Sequence, residues 1–173
     1  MDNISQTSAV SRIDLKDDGI FPNNENLPLL VYRAVLNLSE KDPAAAFEAL
    51  FTTNHWGGGW RNGIYSFHHY HSTAHEVLGI YSGQARAQFG GENGVSLTVS
   101  RGDVVVIPAG VAHKNLGADS DFRVVGAYPL DQTVDMCYGK PDERPRADRN
   151  IANVALPESD PVFGKSGSLG RYW

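Results

Sequence analysis

The most informative part of the sequence is residues 63–83, which read GIYSFHHYHSTAHEVLGIYSG. Four of the six histidines of the chain lie within eight residues of this stretch, at positions 68, 69, 71 and 75. Side chains at positions i and i+2 of a β-strand point to the same face. We therefore expect His69 and His71 to project together, with His68 and Tyr70 on the opposite face.

Two further residues are expected to join this histidine pair. Glu76 opens the next predicted strand after a break at Ser72-Thr73, and His113 follows a bend at Pro108-Ala109-Gly110. Three imidazoles and one carboxylate form a nitrogen and oxygen donor set that suits Fe, Mn, Ni, Co or Zn better than Ca or Mg. The alternative is surface histidines on an edge strand or core histidines bonded to the backbone, and it must also explain the i, i+2 pair, the acid five residues on and the distant histidine after a turn. The sequence favours a divalent transition-metal site whose ligands are His69, His71, Glu76 and His113.

The rest of the chain alternates between short apolar runs and turns. Gly90-Gly91-Glu92-Asn93-Gly94 is a strong hairpin signal, and turns recur about every 8–12 residues, which is typical of β-sandwiches and barrels. The predicted strands cover residues 29–36, 65–71, 76–81, 84–89, 95–99, 104–107 and 122–128. An all-β architecture is therefore expected.

One substantial helix is predicted before this region. Asp42 is a typical N-cap, and Pro43 suits the first helical position because its missing N–H has no partner there. An apolar stripe follows, formed by Ala46, Phe47, Leu50 and Phe51. The helix should end near Asn54, while the polar residues 1 to about 18 are expected to form a loose arm.

Two motifs resemble those of the cupin family. The first, G-x5-H-x-H-x4-E-x6-G, is matched by Gly63, His69, His71, Glu76 and Gly83. The second, G-x5-P-x-G-x2-H-x3-N, is matched by Gly102, Pro108, Gly110 and His113, and Gly117 replaces its final Asn. That Asn is not a metal ligand in the family, so the departure leaves the predicted site intact. Residues 68–79 are also similar to the YjlB-like subgroup of small bacterial cupins.

The resemblance implies an all-β cupin double-stranded β-helix, a jelly-roll barrel, with one N-terminal helix and an irregular C-terminal extension. We expect one domain over residues 1–173, with the core barrel at about 60–130. The flanking parts are then an N-terminal strand and helix extension, 1–59, and a C-terminal extension, 131–173, that lies over the barrel.

Strand alternation also predicts the surroundings of the metal. Phe67 should share the face of His69, and Leu78 and Ile80 the face of Glu76, so these three residues are expected to form an apolar pocket wall. His75 also fits a looser spacing of the first motif and could replace Glu76 as a ligand. The parity of Glu76, Leu78 and Ile80 favours Glu76, which leaves His75 beside the ligands or on the surface.

The resemblance to cupins admits dioxygenases, isomerases, decarboxylases and epimerases, because this fold hosts many chemistries. We favour a metal-dependent enzyme that acts on a small organic molecule, with oxygen-dependent cleavage as the leading reaction. A non-catalytic binding or sensing protein is the alternative, and a barrel that uses its metal only for stability ranks last. Candidates for a general acid or base are Tyr65, Arg86 and Tyr128, although a structural role is favoured for each of them.

Composition limits the partners. The formal net charge is −5, from 20 acidic and 15 basic residues, and no Lys/Arg-rich stripe suggests a nucleic-acid binder. The mixed charges of residues 140–149 are interpreted as a solvated loop. No apolar run is long enough to cross a membrane, and the lone Cys137 excludes an internal disulfide. We expect a cytoplasmic homodimer that binds a small anionic or chelating ligand.

Two interpretations remain open for the segment His55-Trp56-Gly57-Gly58-Gly59-Trp60-Arg61-Asn62. It lacks the spacing of a phosphate-binding loop. It is either a mobile flap whose tryptophans close over a ligand, or a surface loop whose tryptophans pack on the core, which we favour. Cys137 is interpreted as a small buried hydrophobe rather than a nucleophile.

Overall fold

The computed structural model describes residues 9–38 and 41–173. The strands are β1 Val10–Ile13, β2 Leu29–Tyr32, β3 Trp56–Asn62, β4 Glu76–Ser82, β5 Gln84–Phe89, β6 Val95–Ser100, β7 Val104–Ile107, β8 His113–Ala118 and β9 Arg123–Pro129. The helices are α1 Pro43–Thr53, α2 Arg146–Asn153 and α3 Leu169–Tyr172, with a 3-10 turn at Pro141–Glu143. Within these residues no helix is long and apolar enough to cross a membrane.

Two antiparallel sheets form a jelly-roll barrel. The larger sheet has the order β1-β2-β7-β4-β9-β3 and the smaller β6-β5-β8. The side chains between them form one buried cluster that includes Leu78, Ile80, Phe89, Val105 and Val124. The all-β class expected from the turn spacing is therefore confirmed, and β4, at the centre of the larger sheet, carries Glu76 at its first residue.

A second apolar cluster covers the outer face of the larger sheet. It contains Val77 of β4, Phe47 of α1, and Val162 and Leu169 of the C-terminal segment. Because both faces of β4 are covered, its buried run EVLGI is nearly continuous rather than alternating. Gly79 is required by this packing, since a Cβ there would lie 2.5 Å from Cδ1 of Phe47.

The predicted N-terminal helix is confirmed, but it is not the only substantial one. The Asp42 carboxylate accepts a hydrogen bond from the Ala45 N–H, and Asn54 caps the other end. Residues 140–149 are not a loop, because α2 begins at Arg146. Its Ala147 is buried in a small cluster with Phe21 and Tyr70, and this tertiary contact stabilises a helix whose sequence is mostly polar.

The sheet begins earlier in the chain than expected. β1 pairs with β2 in register Val10 to Tyr32, so residues 10–13 are an edge strand rather than part of a loose arm, while residues 1–8 lie outside the described residues. β2 stops at Tyr32, short of the predicted residue 36, and Ala34 has a φ of 48°, which no strand residue adopts.

The glycine-rich segment at 56–62 is neither a flap nor a loop. It forms β3, which pairs with β9 and contains an irregularity between Gly57 and Trp60. Trp56 is buried in the outer cluster and donates a hydrogen bond from Nε1 to the Ser159 carbonyl at 2.9 Å. The backbone pairing to β9 therefore holds both tryptophans on the sheet.

Candidate metal centre

Three histidines meet at one end of the barrel. His69, His71 and His113 each offer a ring nitrogen within 4.8 Å of the other two, and all three residues are buried. An isolated bridge joins His69 to His113, with the His113 N–H donating to the His69 carbonyl at 2.9 Å. His113 is the first residue of β8, so one short pairing brings the two parts of the cluster together.

Hydrogen bonds fix the orientation of all three rings. Each Nδ1 lies next to a backbone carbonyl: His69 next to Phe67 at 3.3 Å, His71 next to Asp135 at 2.5 Å, and His113 next to Val111 at 3.1 Å. A carbonyl only accepts, so in each neutral ring Nδ1 carries the proton. The Nε2 lone pairs are then available for coordination, which is the usual arrangement of metal-binding histidines.

Glu76 completes the cluster from the first position of β4. Its Oε2 atom lies 3.1 Å from Nε2 of His113 and 3.5 Å from Nε2 of His71. Among the described residues no hydrogen bond of good geometry reaches this buried oxygen. An unpartnered carboxylate oxygen is costly to bury, and a cation between it and the three imidazoles would remove that cost. The donor set therefore fits a divalent transition metal.

The local electrostatics favour the metal-binding protonation state at two of the four proposed ligands, His69 and Glu76. Burial, reinforced by His113, lowers the pKa of His69 to about 3, so this imidazole is neutral. Burial alone would raise the pKa of Glu76, but His71 and His113 hold it well below its usual range, so the carboxylate is ionised. Burial likewise opposes protonation of His71, yet Glu76 and Asp135 raise its pKa.

The cluster lies in a cavity of about 290 Å³. The remaining lining residues are Trp60, Arg61, Asn62, Gly63, Ile64, Tyr65, Leu78, Tyr128 and Met136. Leu78 is in the wall, where strand parity placed it. Ile80 shares its face but is not among the lining residues, because it lies one further pair along β4 in the inter-sheet core.

The prediction that Phe67 lies in the apolar wall of the pocket is wrong. Its side chain is 46 % exposed and stacks on Tyr65 outside the cavity. Residues 65–71 do not form a continuous strand, since only His69 and Tyr70 make bridges, each to a different partner. Alternation therefore holds for His69, Tyr70 and His71 but does not extend back to Phe67.

His75 does not face the cavity. Its Nδ1 accepts a hydrogen bond from the Ala109 N–H at 2.9 Å, and its ring packs 4.6 Å from that of Trp173. Burial lowers its pKa to about 4, so the ring is neutral and able to accept this bond. The residue is 1 % exposed, so it is not a surface histidine, and its side chain is not among those that line the cavity.

The three candidate acid–base residues lie at different places relative to the cavity. Tyr128 lines the cavity, and its hydroxyl oxygen accepts a hydrogen bond from Nε1 of Trp60 at 2.9 Å. Burial and the Glu76 carboxylate raise the pKa of Tyr128, which therefore keeps its proton at neutral pH. Tyr65 lies at the mouth, whereas Arg86 is an exposed residue of β5 outside the lining.

Sequence reasoning missed the contribution of the C-terminal segment. The Asp135 carbonyl orients His71, and the Asp135 carboxylate accepts hydrogen bonds from the N–H groups of Ser72 and Thr73 at 2.6 and 3.3 Å. Met136 follows in the cavity wall. These residues carry no periodic pattern, and the only available signal was an acid in an otherwise irregular stretch. Cys137, expected to be a buried hydrophobe, is 4 % exposed.

Comparison with known proteins gives a consistent assignment. A sequence profile of the cupin family matches residues 61–127. An uncharacterised protein of Bacillus subtilis, YjlB, is 45% identical over 157 residues, covering 91% of this chain and 92% of that protein. A whole-chain relative at this identity shares the fold and the family.

Solved structures are more distant. The epimerase RmlC from Legionella pneumophila is 15% identical, with a TM-score of 0.39 over 70% of this chain and 72% of that one. A DUF861 family protein from Thermotoga maritima is 22% identical, with a TM-score of 0.33 over 50% of this chain and 92% of that one. We draw no function from either likeness.

Proposed function

This chain belongs to the cupin family, and from that premise we propose that it is a metal-dependent protein that acts on a small organic molecule. The proposed metal ligands are His69, His71, Glu76 and His113. The observation that carries the proposal is the buried Glu76 oxygen without a hydrogen-bond partner, which lies beside three imidazoles whose Nδ1 atoms face backbone carbonyls, leaving Nε2 for coordination. Iron, manganese, nickel and zinc all suit this donor set.

A divalent metal bound there would supply a Lewis acid that polarises a coordinated oxygen. Three neutral imidazoles and one carboxylate leave a formal charge of +1 on such a centre. Arg61, the cationic side chain in the lining, is already paired with Glu48 through contacts of 2.6 and 2.8 Å. The charge available to a ligand is therefore that of the metal, which favours small carboxylates, enolates and diketone-like compounds.

The chain itself would hold and orient such a ligand. Leu78 gives the cavity an apolar wall that excludes water from one side of the cluster. Trp60 donates its only N–H to Tyr128, so the phenol oxygen accepts from Trp60, and the phenol proton can be donated to the Glu76 carboxylate or to a ligand. Because the phenol keeps that proton at neutral pH, Tyr128 is a donor to a ligand oxygen.

Oxygen-dependent chemistry is the reaction class we favour. Apart from the four proposed ligands, the ionisable residues in the cavity wall are Arg61, Tyr65 and Tyr128. Glu48 holds the Arg61 guanidinium charged and Tyr128 keeps its proton because its pKa is raised, whereas isomerisation and epimerisation require a base to abstract a proton. A dioxygenase-like reaction does not. The same observation also supports the second candidate, a binding or sensing protein without turnover.

Metal reconstitution tests the proposal. Protein purified without chelator is first analysed for metal, then stripped and loaded separately with Fe(II), Mn, Ni or Zn. Small carboxylates and diketones are screened for binding by calorimetry and, with Fe(II), for oxygen uptake. We expect binding with at least one metal and uptake with Fe(II). Binding without turnover under every metal would select the sensing role, and no binding at all would leave the metal a purely structural one.

A further inference from the structure

Three aromatic side chains form a continuous surface at the mouth of the cavity. The rings of Tyr65 and Phe67 stack with centroids 4.9 Å apart and an interplanar angle of 15°. Tyr138 continues the row, with its ring centroid 6.0 Å from that of Phe67. The three side chains, which we call the aromatic shelf, are 46%, 46% and 45% exposed. Exposed aromatic rings that touch one another beside a cavity are typical of a binding surface.

The shelf is continuous with the candidate metal centre. Tyr65 belongs to both, since it lines the cavity and stacks on Phe67. The His69 ring lies edge-on to both shelf residues, with centroids 5.1 Å from Tyr65 and 5.9 Å from Phe67. A planar group joined by one or two bonds to an oxygen that coordinates at the cluster would therefore reach the shelf.

The size of the cavity points the same way. A volume of about 290 Å³ is at the lower limit of small-molecule pockets, which usually span about 300–1,000 Å³. A ligand larger than its chelating head must therefore extend through the mouth. The rings at that mouth offer flat apolar faces, and the one charged group over them is the Lys140 ammonium, 5.4 Å from the centroid of the Tyr138 ring.

A protein partner fits the shelf less well. At roughly 200 Å² per aromatic side chain, three rings exposed by a little under half present about 300 Å² in all. A stable protein interface takes about 800 Å² from each partner. The shelf alone is therefore too small for a second copy of the chain but matches one or two planar rings of a small molecule.

We propose that the aromatic shelf binds a planar apolar group of the ligand, so that the ligand class is a chelating oxygen head joined to an aromatic or conjugated tail. This inference rests on the proposed function, because the head is placed by the metal. Phe67 and Tyr138 would then be specificity residues that contact the tail and leave the coordination chemistry to the cluster.

A matched pair of chelators tests this proposal. Acetohydroxamate and benzohydroxamate share one chelating head and differ by a methyl against a phenyl group. Binding to Zn-loaded and Ni-loaded protein is measured by calorimetry and by intrinsic tryptophan fluorescence, neither of which needs turnover. We expect wild type to prefer benzohydroxamate by about tenfold, the amount that one aromatic contact provides.

The variants locate the preference. Phe67→Ala, Phe67→Leu and Tyr138→Ala should each reduce it severalfold, whereas Phe67→Tyr, which keeps a ring, should retain it. Leu156→Ala is the matched control, because Leu156 is an exposed apolar residue, 54% accessible, outside the cavity lining. Metal content is measured for every variant so that ligand affinities are compared at equal loading.

Each outcome has one meaning. A preference that survives both Phe67→Ala and Tyr138→Ala overturns the shelf while leaving the metal-dependent function standing. Failure of both hydroxamates to bind metal-loaded wild type overturns the proposed function and this inference with it. A dimeric wild type that becomes monomeric on Phe67→Ala, measured by sedimentation, would assign the rings to a subunit interface and overturn the shelf.

Discussion

The backbone N–H of Ala109 donates a hydrogen bond to Nδ1 of His75 at 2.9 Å. His75 immediately precedes β4, and Ala109 lies in the bend that leads to β8. This bond therefore joins the segments that lead into two strands of the site. A neutral histidine accepts at only one ring nitrogen, and here that nitrogen faces the bend. Glu76, the next residue, faces the histidine cluster. Two adjacent residues therefore have separate roles, one in the bend and one in the cluster.

Replacement of these two residues should separate metal affinity from stability. We expect Glu76→Ala to weaken metal binding by about a hundredfold or more, because it removes the anionic donor. His75→Ala should change metal affinity far less but lower the free energy of unfolding by about 2 kcal/mol, because the buried Ala109 N–H loses its acceptor. Competition with a fluorescent chelator and urea denaturation measure the two quantities. The reverse order of metal affinities would mean that β4 is shifted by one residue.

Each clustered histidine should be needed for metal retention. Single replacements of His69, His71 or His113 by Ala are expected to reduce stoichiometric metal sharply, as measured by elemental analysis of protein purified without chelator. His55→Ala is the control, since the His55 side chain is 58% exposed and is not among the residues that line the cavity. Full metal content in a His69→Ala, His71→Ala double variant would show that the cluster is not the metal site.

The sequence predicted the parts of this site that depend on local periodicity. The alternation of His69, Tyr70 and His71, and of Glu76 and Leu78, fixes which side chains enter the barrel. The alternation rule failed at Phe67 because the segment before His69 is not paired with another strand. Without strand pairing, the backbone does not hold successive side chains on alternate faces. Alternation also predicted the face of Ile80 correctly. It could not predict that Ile80 lies in the inter-sheet core rather than in the cavity wall, because that depends on where the barrel closes.

Elements stabilised by distant contacts were less predictable. α2 reads as a charged loop, yet Ala147 and Ile151 pack one turn apart on the cluster that contains Tyr70. β3 contains three consecutive glycines and is held by pairing to β9 rather than by its own propensity. Asp135 reaches His71 across more than sixty residues of chain. None of these contacts has a signature within its own segment.

Metal occupancy should fall on acidification. Burial opposes protonation of His71, but Glu76 and Asp135 raise the pKa of this imidazole in the metal-free protein. Coordination must release that proton, so below this pKa the apparent metal affinity should fall about tenfold for each pH unit. Equilibrium dialysis between pH 3 and pH 8 measures the change. Occupancy that stays constant down to about pH 3 would contradict coordination by imidazole.

The C-terminal segment should be essential for stability through Asp160. Its carboxylate accepts hydrogen bonds from the Tyr32 hydroxyl and from three backbone N–H groups, those of Val162, Phe163 and Leu169. Asp160→Ala leaves these buried donors without an acceptor, and we expect a loss of about 3 kcal/mol or more in the free energy of unfolding. Asp160→Asn, which keeps one oxygen, should lose less. Equal stability of Asp160→Ala and wild type would contradict the role of this carboxylate.

Tyr128 should affect the ligand and not the metal. Tyr128→Phe removes the hydroxyl group that accepts a hydrogen bond from Trp60. In the described cavity wall this hydroxyl is also the phenolic donor that lies beside Glu76. We expect metal content to be unchanged, since the three imidazoles and the carboxylate remain. Affinity for a small carboxylate or diketone should fall about fivefold, the usual range for one hydrogen bond.

Calorimetry of metal-loaded protein measures the ligand affinity of Tyr128→Phe and that of wild type. Tyr81→Phe is the matched control, because Tyr81 is a partly buried tyrosine of β4 that packs on the outer cluster. A ligand affinity in Tyr128→Phe equal to that of wild type, at full metal loading, would mean that the phenol does not touch the ligand. The hydroxyl would then serve only to hold Trp60, and its loss would appear in the free energy of unfolding instead.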